Sequence, residues 1–445
     1  MTKLNKLSNK EIVFTGFMLF SMLFGAGNLI FPAYLGQAAG ENVWQAVLGF
    51  IISDAGLALL AFIAIAKSGT FQSLVNRVNP VFALIFPMTI YLCIGPGLAI
   101  PRAGSLAYEM GVKPFLPATL ESSSIGLLIY TIIFFIIVFW FAKSPSKLVD
   151  RFGKVLTPSL LILIMIVFIK ALFTDLADFK GASLVYKNNP FSQGFLDGYQ
   201  TMDAICALIY GIVFIDIFKS RNIKGQGLQN KYLILFGLIC GLLLTICYAI
   251  IAYLGASATL PEVADNGAIV LSVILYQLFG KNGTIILGLI FTLASLSVCI
   301  GLITSCAHYF TSIWPKLSYK KWAMLLCFIS ATVANLGLSQ ILKVSVPILA
   351  ILYPMAIALI ILGLLHGRLP FYGRPVYALT ILLVGLFSLV EIINSTLLNG
   401  SLSEWLSYVP MQTQGFGWII PGLLGFIGGI IYEKGIKMAH SVHSS

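Results

Sequence analysis

The sequence predicts an all-α integral membrane protein with twelve transmembrane helices, and three observations carry that prediction. The chain is 59% hydrophobic and only 10% charged, with a mean hydropathy of +0.97, whereas soluble domains carry about 25% charged residues. Its apolar residues fall in runs of about 20, the length of helix that crosses a hydrocarbon core. Its basic residues collect in the short loops between alternate runs, which is the pattern that sets membrane orientation. The formal charge of +11 therefore reports loop placement, and no nucleic-acid partner is expected.

The segment "MTKLNKLSNK", residues 1–10, is basic and leads into the first run without a small-residue cleavage site, so it reads as an uncleaved cytoplasmic terminus. The spans that follow are 11–35, interrupted by glycine and proline; 44–66, which holds Asp54; 80–108, which holds Arg102 in "AIPRAG"; and the uniformly apolar 124–142 and 155–173. The sixth, 191–218, contains a polar cluster, Gln200, Thr201 and Asp203, and is followed by 232–256. The stretch "NGAIVLSVILYQLFG" is apolar but short and flanked by glycine, so it is expected as an external surface or re-entrant helix. Spans 284–313, 322–338, 341–365, 376–398 and 416–432 complete the set, and 433–445 is a tail.

Loop charge tests this order. With an even count, every Lys and Arg falls on one side except Arg102, Lys113, Lys170, Lys180, Lys187, Lys281 and Lys343. One misplaced span would scramble all downstream loops, so both termini are expected in the cytoplasm.

The first span breaks its own helix at "FGAGNLIFP". Non-helical backbone persists at membrane depth only where it is buried in protein or lines a cavity, and half-helix ends there hold carboxylates and cations. Gly25 and Gly27 allow close approach of a ligand, Ala26 adds no bulk and Asn28 supplies an amide; the plainer reading is a packing kink between helices. Five spans later, "GFLDGYQTMDAICALIYGIV" places Asp203 at mid-membrane, where an acid is a functional hypothesis by default. A partner break at that interval is what a five-plus-five inverted repeat requires, 11–173 against 191–365, with 376–432 peripheral. Asp54, Asp216 and Glu391 read as paired or interface charges, and Arg102 as a candidate gate or a snorkelling anchor.

Other chemistry is not visible. The seven cysteines lie inside spans with no CxxC pair, and His308, His366, His440 and His443 have no acidic partners at metal-ligand spacing. Phosphate-binding, zinc-protease and nucleophile-elbow motifs are missing, so no enzyme activity and no cofactor are expected.

The blocks "FTGFMLFSMLFGAGNLIFPAYLGQAAG", "IGPGLAIPRAGSLAYE", "GYQTMDAICALIYGIV" and "LASLSVCIGLITSCAHYF" resemble the first, third, sixth and eighth helices of the branched-chain amino acid:cation symporter family, the bacterial system II carriers. That family belongs to the amino acid/polyamine/organocation superfold, and the resemblance implies two inverted five-helix repeats plus two peripheral helices. It implies sodium-coupled uptake of leucine, isoleucine and valine across the bacterial inner membrane. A proton-coupled carrier, or a symporter for nucleobases or metal ions, would share the broken helices.

Carried onto this chain, the resemblance puts the substrate carboxylate at Gly25, Ala26, Gly27 and Asn28. The ammonium would lie at Thr201, Met202, Asp203 and Ala204, with Asp203 either touching it or holding the broken backbone. Sodium would meet the carbonyls of Ser21, Phe24 and Ala294 and the hydroxyl of Ser297, unless that hydroxyl only bonds the carbonyl one turn back. Val298 departs from related transporters, which often carry a second hydroxyl there, leaving Ser295 or a water to supply that oxygen. Ile205, Tyr210 and Tyr91 are candidates for the side-chain pocket.

Overall fold

The computed structural model describes residues 6–117, 124–144, 148–367 and 372–443, without the side chains of 215, 216, 220, 338, 339, 342 and 437–443. Lys3, Lys147 and Arg368, and the side chains of Asp216, Lys437, His440 and His443, lie outside the described residues. Among those described there are helices and turns and no strand.

Helix α1 (Asn9–Leu23) starts at a capping box, in which the Ser8 N–H donates to Glu11 Oε2 at 2.9 Å and the Glu11 N–H to Ser8 Oγ at 3.3 Å. It ends one residue before the "GAG" triplet, and α2 (Gly27–Ala39) resumes on the far side. The second span is α3 (Val43–Ile51) and α4 (Leu57–Ser68), joined by a π-helical turn, Ile52–Gly56, that carries Asp54. A short α5 (Phe71–Val75) caps the loop before α6 (Pro80–Leu92).

The third span is not one continuous helix. It passes through a π-helical turn, Cys93–Gly97, before α7 (Ala99–Gly111), and Gly95 leaves helical space at φ −74° and ψ −121°. The cause is "GPG": Pro96 has no N–H to give and restricts the residue before it, while the glycines resist neither distortion. Helix α8 (Ser124–Ala142) coincides with the predicted fourth span. The fifth begins earlier than predicted, with a wide turn Val149–Leu156 running into α9 (Thr157–Leu172), because its first turns carry the exposed pair Asp150–Lys154 at 2.6 Å and so fall outside an apolar window.

The remaining helices are α10 (Leu184–Asn188), α11 (Pro190–Gly198), α12 (Asp203–Ser220), α13 (Gln226–Ala256), α14 (Gly267–Phe279), α15 (Lys281–Ile313), α16 (Tyr319–Ala334), α17 (Leu338–Leu365), α18 (Arg374–Thr396), α19 (Ser403–Ser407) and α20 (Ile419–His443). Ten stretches among the described residues are long and apolar enough to cross a membrane. Length alone does not reach twelve, since the half-helix α1 has 15 residues and α16 has 16. At 13 residues, α14 is too short to cross, as expected for an external helix.

Contacts between distant segments join ends that the span order places on one side. On the side of the basic loops, Glu11 pairs with Arg221 at 2.6 Å, Lys67 donates to the Leu364 carbonyl at 3.0 Å and Arg77 to the Tyr377 hydroxyl at 3.3 Å. On the other, Gln37 donates to the Glu262 carbonyl at 2.9 Å and Gln412 to Glu391 at 2.9 Å. Glycines set the central crossings: a Cβ on Gly36 would lie 2.0 Å from the Ala252 carbonyl oxygen, and one on Gly255 2.2 Å from that of Ala33. Helices α2 and α13 thus meet backbone to backbone, the small-residue mode of membrane helix packing.

Candidate binding site

At the first break, Phe24 turns out of the helix at ψ 94°, its N–H still bonded to the Phe20 carbonyl at 2.7 Å. Asn28 reaches back so that its Oδ1 accepts the Gly25 N–H at 3.0 Å. The N–H groups of Ala26 and Gly27, at the start of α2, have no hydrogen-bond partner among the described residues. A Cβ on Gly25 would stand 2.9 Å from Val298 Cγ2, so glycine is what allows α15 to pass this close.

The sixth span is broken by a 3-10 turn, Tyr199–Thr201, and by Met202 in the left-handed region at φ 72°. A non-glycine residue there is strained, and such strain concentrates at functional sites. The Thr201 hydroxyl lies 2.6 Å from both Asp54 Oδ1 and the Gly198 carbonyl, and the Ala204 N–H donates to the Tyr353 hydroxyl at 3.4 Å.

One side chain joins the two breaks. The Asn28 amide nitrogen donates to Asp203 Oδ2 at 2.8 Å and to the Tyr248 hydroxyl at 2.5 Å, and all three residues are buried. Arg102, on α7 and 5% exposed, donates from Nη2 to the Gln200 carbonyl of the sixth-span break at 3.1 Å. Between these groups lies a cavity of about 20 Å³, whose polar wall is Gly25 to Asn28, Arg102, Thr201 and Asp203 and whose apolar wall includes Ala99, Ala103, Leu106, Val298 and Leu302. That is room for about one water, far below the ~300 Å³ of an ordinary small-molecule pocket. The molecule is therefore closed around this point.

A second, open cavity of about 470 Å³ lies at the basic-loop end, lined by Gln72, Tyr91, Ile209, Tyr309 and Ser312. The Tyr91 and Tyr309 rings stack there at 3.8 Å. Leu302 on the inner cavity precedes Tyr309 by about two turns of α15, so roughly 10 Å of packed protein separates the two spaces.

The residues expected to hold a cation come together in part. Ser21 Oγ donates to Ser297 Oγ at 3.2 Å, and the Ser297 hydroxyl donates one turn back to the Leu293 carbonyl at 2.8 Å. Ala294 and Phe24 are fully buried. Val298 packs on Gly25 at the inner cavity, and the Ser295 hydroxyl is buried without a partner among the described residues.

Of the side-chain pocket candidates, Ile205 and Tyr210 are buried off the cavity, with the Tyr210 hydroxyl donating to the Met22 carbonyl at 2.7 Å, and Tyr91 faces the open one. Sequence reasoning missed the part of Asp54, whose carboxyl meets Thr201 of the sixth-span break, and of Tyr248 and Tyr353. Asp54 carried a signal, an acid in mid-span; nothing in the sequence sets these two tyrosines apart from their sixteen fellows.

Two interrupted spans meeting around an enclosed polar cavity define a membrane transporter of the discontinuous-helix class. The family described as "Branched-chain amino acid transport protein" matches residues 8–436. The chain is 41% identical over 432 residues to the branched-chain amino acid permease BraB of Bacillus subtilis (strain 168), covering 96% of each chain. It is 33% identical over 443 residues to the permease BrnQ of Escherichia coli (strain K12), covering 99% of this chain and 100% of that one. Among solved structures it is similar to Mhp1, a nucleobase-cation-symport-1 family transporter in a closed conformation, with a TM-score of 0.63 at 12% identity over 99% of this chain and 96% of that one. It is also similar to MhsT in complex with L-phenylalanine, with a TM-score of 0.54 at 16% identity over 96% and 98%. The chain belongs to the branched-chain amino acid transport protein family, and it is a multi-pass membrane transporter, not an enzyme.

Proposed function

We propose that this protein takes up leucine, isoleucine and valine across a bacterial cytoplasmic membrane by sodium-coupled alternating access, with both termini inside. The single observation that carries the reading is the joining of both broken spans, through Asn28, around one closed cavity that has a charged wall and an apolar wall. Family membership supplies the substrate class.

In this reading the half-helix start at Ala26 and Gly27 offers free N–H groups and a positive dipole end to the carboxylate. The ammonium lies against Asp203 and the backbone from Thr201 to Ala204, and the branched side chain against Ala99, Ala103, Leu106, Val298 and Leu302. Sodium, a hard cation that favours oxygen, is held by the carbonyls of Ser21, Phe24 and Ala294 and by Ser297 Oγ, whose proton is turned to Leu293 and one of whose lone pairs takes the Ser21 hydroxyl, leaving the other for the cation. The Ser21 hydroxyl, already in contact with Ser297, supplies the oxygen that Val298 lacks. Two repeats, 11–173 and 191–365, are supported by reciprocal packing: the first span lies along α13, and the sixth along α3 and α4.

A second reading, proton coupling, is favoured by one observation, the two buried carboxyls of Asp54 and Asp203 on either side of Tyr248. Uptake of labelled leucine by proteoliposomes separates the two. Uptake driven by a sodium gradient at equal pH, and inhibited by isoleucine and valine, is the expected result. Uptake that ignores sodium and follows a pH gradient would replace sodium with a proton, and no leucine uptake under either gradient would remove the substrate assignment.

A further inference from the structure

Arg102 is the one basic residue among those lining the inner cavity. A buried guanidinium is costly unless it is paired. Among the described residues the ion pairs are Lys154–Asp150 and Arg221–Glu11, so Arg102 has no carboxylate within 4.0 Å. Asp203 lines the same cavity, but its Oδ2 takes the Asn28 amide. What Arg102 has is the Gln200 carbonyl on Nη2 at 3.1 Å and the Phe31 ring at 5.8 Å, while its Nη1 is buried without a partner among the described residues.

Its position relative to the first break is close. A Cβ on Gly27 would lie 3.2 Å from Arg102 Nη2, so the guanidinium sits against the first turn of α2, beside the N–H groups of Ala26 and Gly27 that also have no partner among the described residues. Two separate donor sets and the positive end of a half-helix therefore converge on one wall of the cavity. Donors in that number, with a planar fork among them, match a carboxylate.

Resting on the substrate reading above, we infer that Arg102 is a substrate-binding residue which, with the start of α2, receives the substrate's carboxylate, and that it makes the site select α-amino carboxylates over amines and alcohols of the same side chain. Asp203, which lines the same cavity, is then the counter-charge for the ammonium. The arrangement places one positive and one negative side chain around a zwitterion, so substrate entry leaves neither charge uncompensated. Through the Gln200 carbonyl, Arg102 also links the carboxylate to the sixth-span break, so the ligand bridges both interrupted spans.

The test is ligand binding to the purified full-length protein in lipid nanodiscs, comparing leucine with leucinol, which keeps the side chain and ammonium but lacks the carboxylate. The wild-type protein should prefer leucine strongly. Arg102→Gln should weaken leucine by about 10–100-fold, the range for a lost charge-assisted hydrogen bond, and leave leucinol unchanged; Arg102→Lys should fall between. Equal weakening of both ligands would make Arg102 a structural clamp on Gln200, and unchanged preference for leucine would place the carboxylate elsewhere; either overturns the proposal. Should Arg102→Gln fail to fold, Gly27→Ala displaces the guanidinium without removing it and should lower the preference for leucine, retention of which overturns the proposal. Failure of the wild-type protein to bind leucine, isoleucine or valine would instead overturn the substrate reading on which this one stands.

Discussion

Asn28 makes three connections with one amide: its oxygen holds the Gly25 N–H at the break, and its nitrogen holds Asp203 and Tyr248 across the site. Asn28→Ala should leave the Gly25 N–H unpaired, at about 1–3 kcal/mol, and leave Asp203 Oδ2 with only the 3.5 Å contact from the Tyr248 hydroxyl, lowering the melting temperature and abolishing leucine uptake together. A variant that kept full stability would show that the amide does not brace the break. Asp203 lines the cavity and Asp54 does not, although Asp54 takes the Thr201 hydroxyl. Asp203→Asn should therefore reduce transport far more than Asp54→Asn at equal membrane expression, since the amide oxygen in each case still accepts a hydrogen bond and only the charge at the cavity is lost. Equal effects would move the functional acid. For the cation, Ser297→Ala should raise the sodium concentration for half-maximal leucine uptake, and Val298→Thr should lower it or leave it unchanged; sodium dependence that survives Ser297→Ala intact in an active carrier would remove Ser297 from the ligand set. At this scale the sequence was readable wherever a polar or glycine residue interrupted an apolar run, as at Gly25 to Asn28 and Asp203. Tyr248 and Tyr353 were not readable, because a tyrosine that donates into a site and one that merely packs look the same in an apolar run.

The interrupted elements differ in how far the sequence disclosed them. The breaks in the first and sixth spans stand out because glycine, proline and polar residues cluster where hydrophobicity is otherwise unbroken, whereas "CIGPG" in the third span stays apolar and a hydropathy window passes through its kink. That kink sets the direction in which α7 presents Arg102, so a feature the window could not resolve positions the cavity's buried cation. The close passage of α15 against the first break is likewise a property of two elements together. A methyl on Gly25 would meet Val298 Cγ2 at 2.9 Å, a contact that forces the Val298 side chain or one of the two helices to shift. Gly25→Ala should accordingly lower leucine uptake severalfold or more, and Val298→Ala in the same chain should restore part of it. Additive losses in the double variant, measured as initial rates at equal expression, would mean that the two helices do not bear on each other at this point. By contrast Gly428→Ala, inside α20 with nothing within 4 Å of the added methyl, should not lower the rate and should leave stability equal or slightly raised.

Across the whole molecule, roughly 10 Å of packed protein separates the inner cavity from the open one toward the basic loops. There the stacked pair Tyr91 and Tyr309 lines the open cavity of about 470 Å³, about two turns of α15 beyond Leu302 on the inner cavity of about 20 Å³. Basic loops are retained on the cytoplasmic side of bacterial membranes, so the open space is expected to be the route of release. Two consequences can be measured with a membrane-impermeant thiol reagent in a background in which half-buried Cys93 is replaced, the other six cysteines being buried. Ser312→Cys, exposed in the open cavity, should be modified rapidly in inside-out vesicles and not in right-side-out ones. Ala103→Cys, on the inner cavity, should react slowly from that side, and faster once Tyr309→Ala removes one ring if the tyrosine stack is the seal between the two spaces. Modification of Ser312→Cys from the opposite side would reverse the orientation of the whole chain, a result that the loop charge argues against. No change at Ala103→Cys on loss of the Tyr309 ring would mean that the barrier lies in the packing of α12 against α15, and that release requires those helices to part rather than two rings to swing.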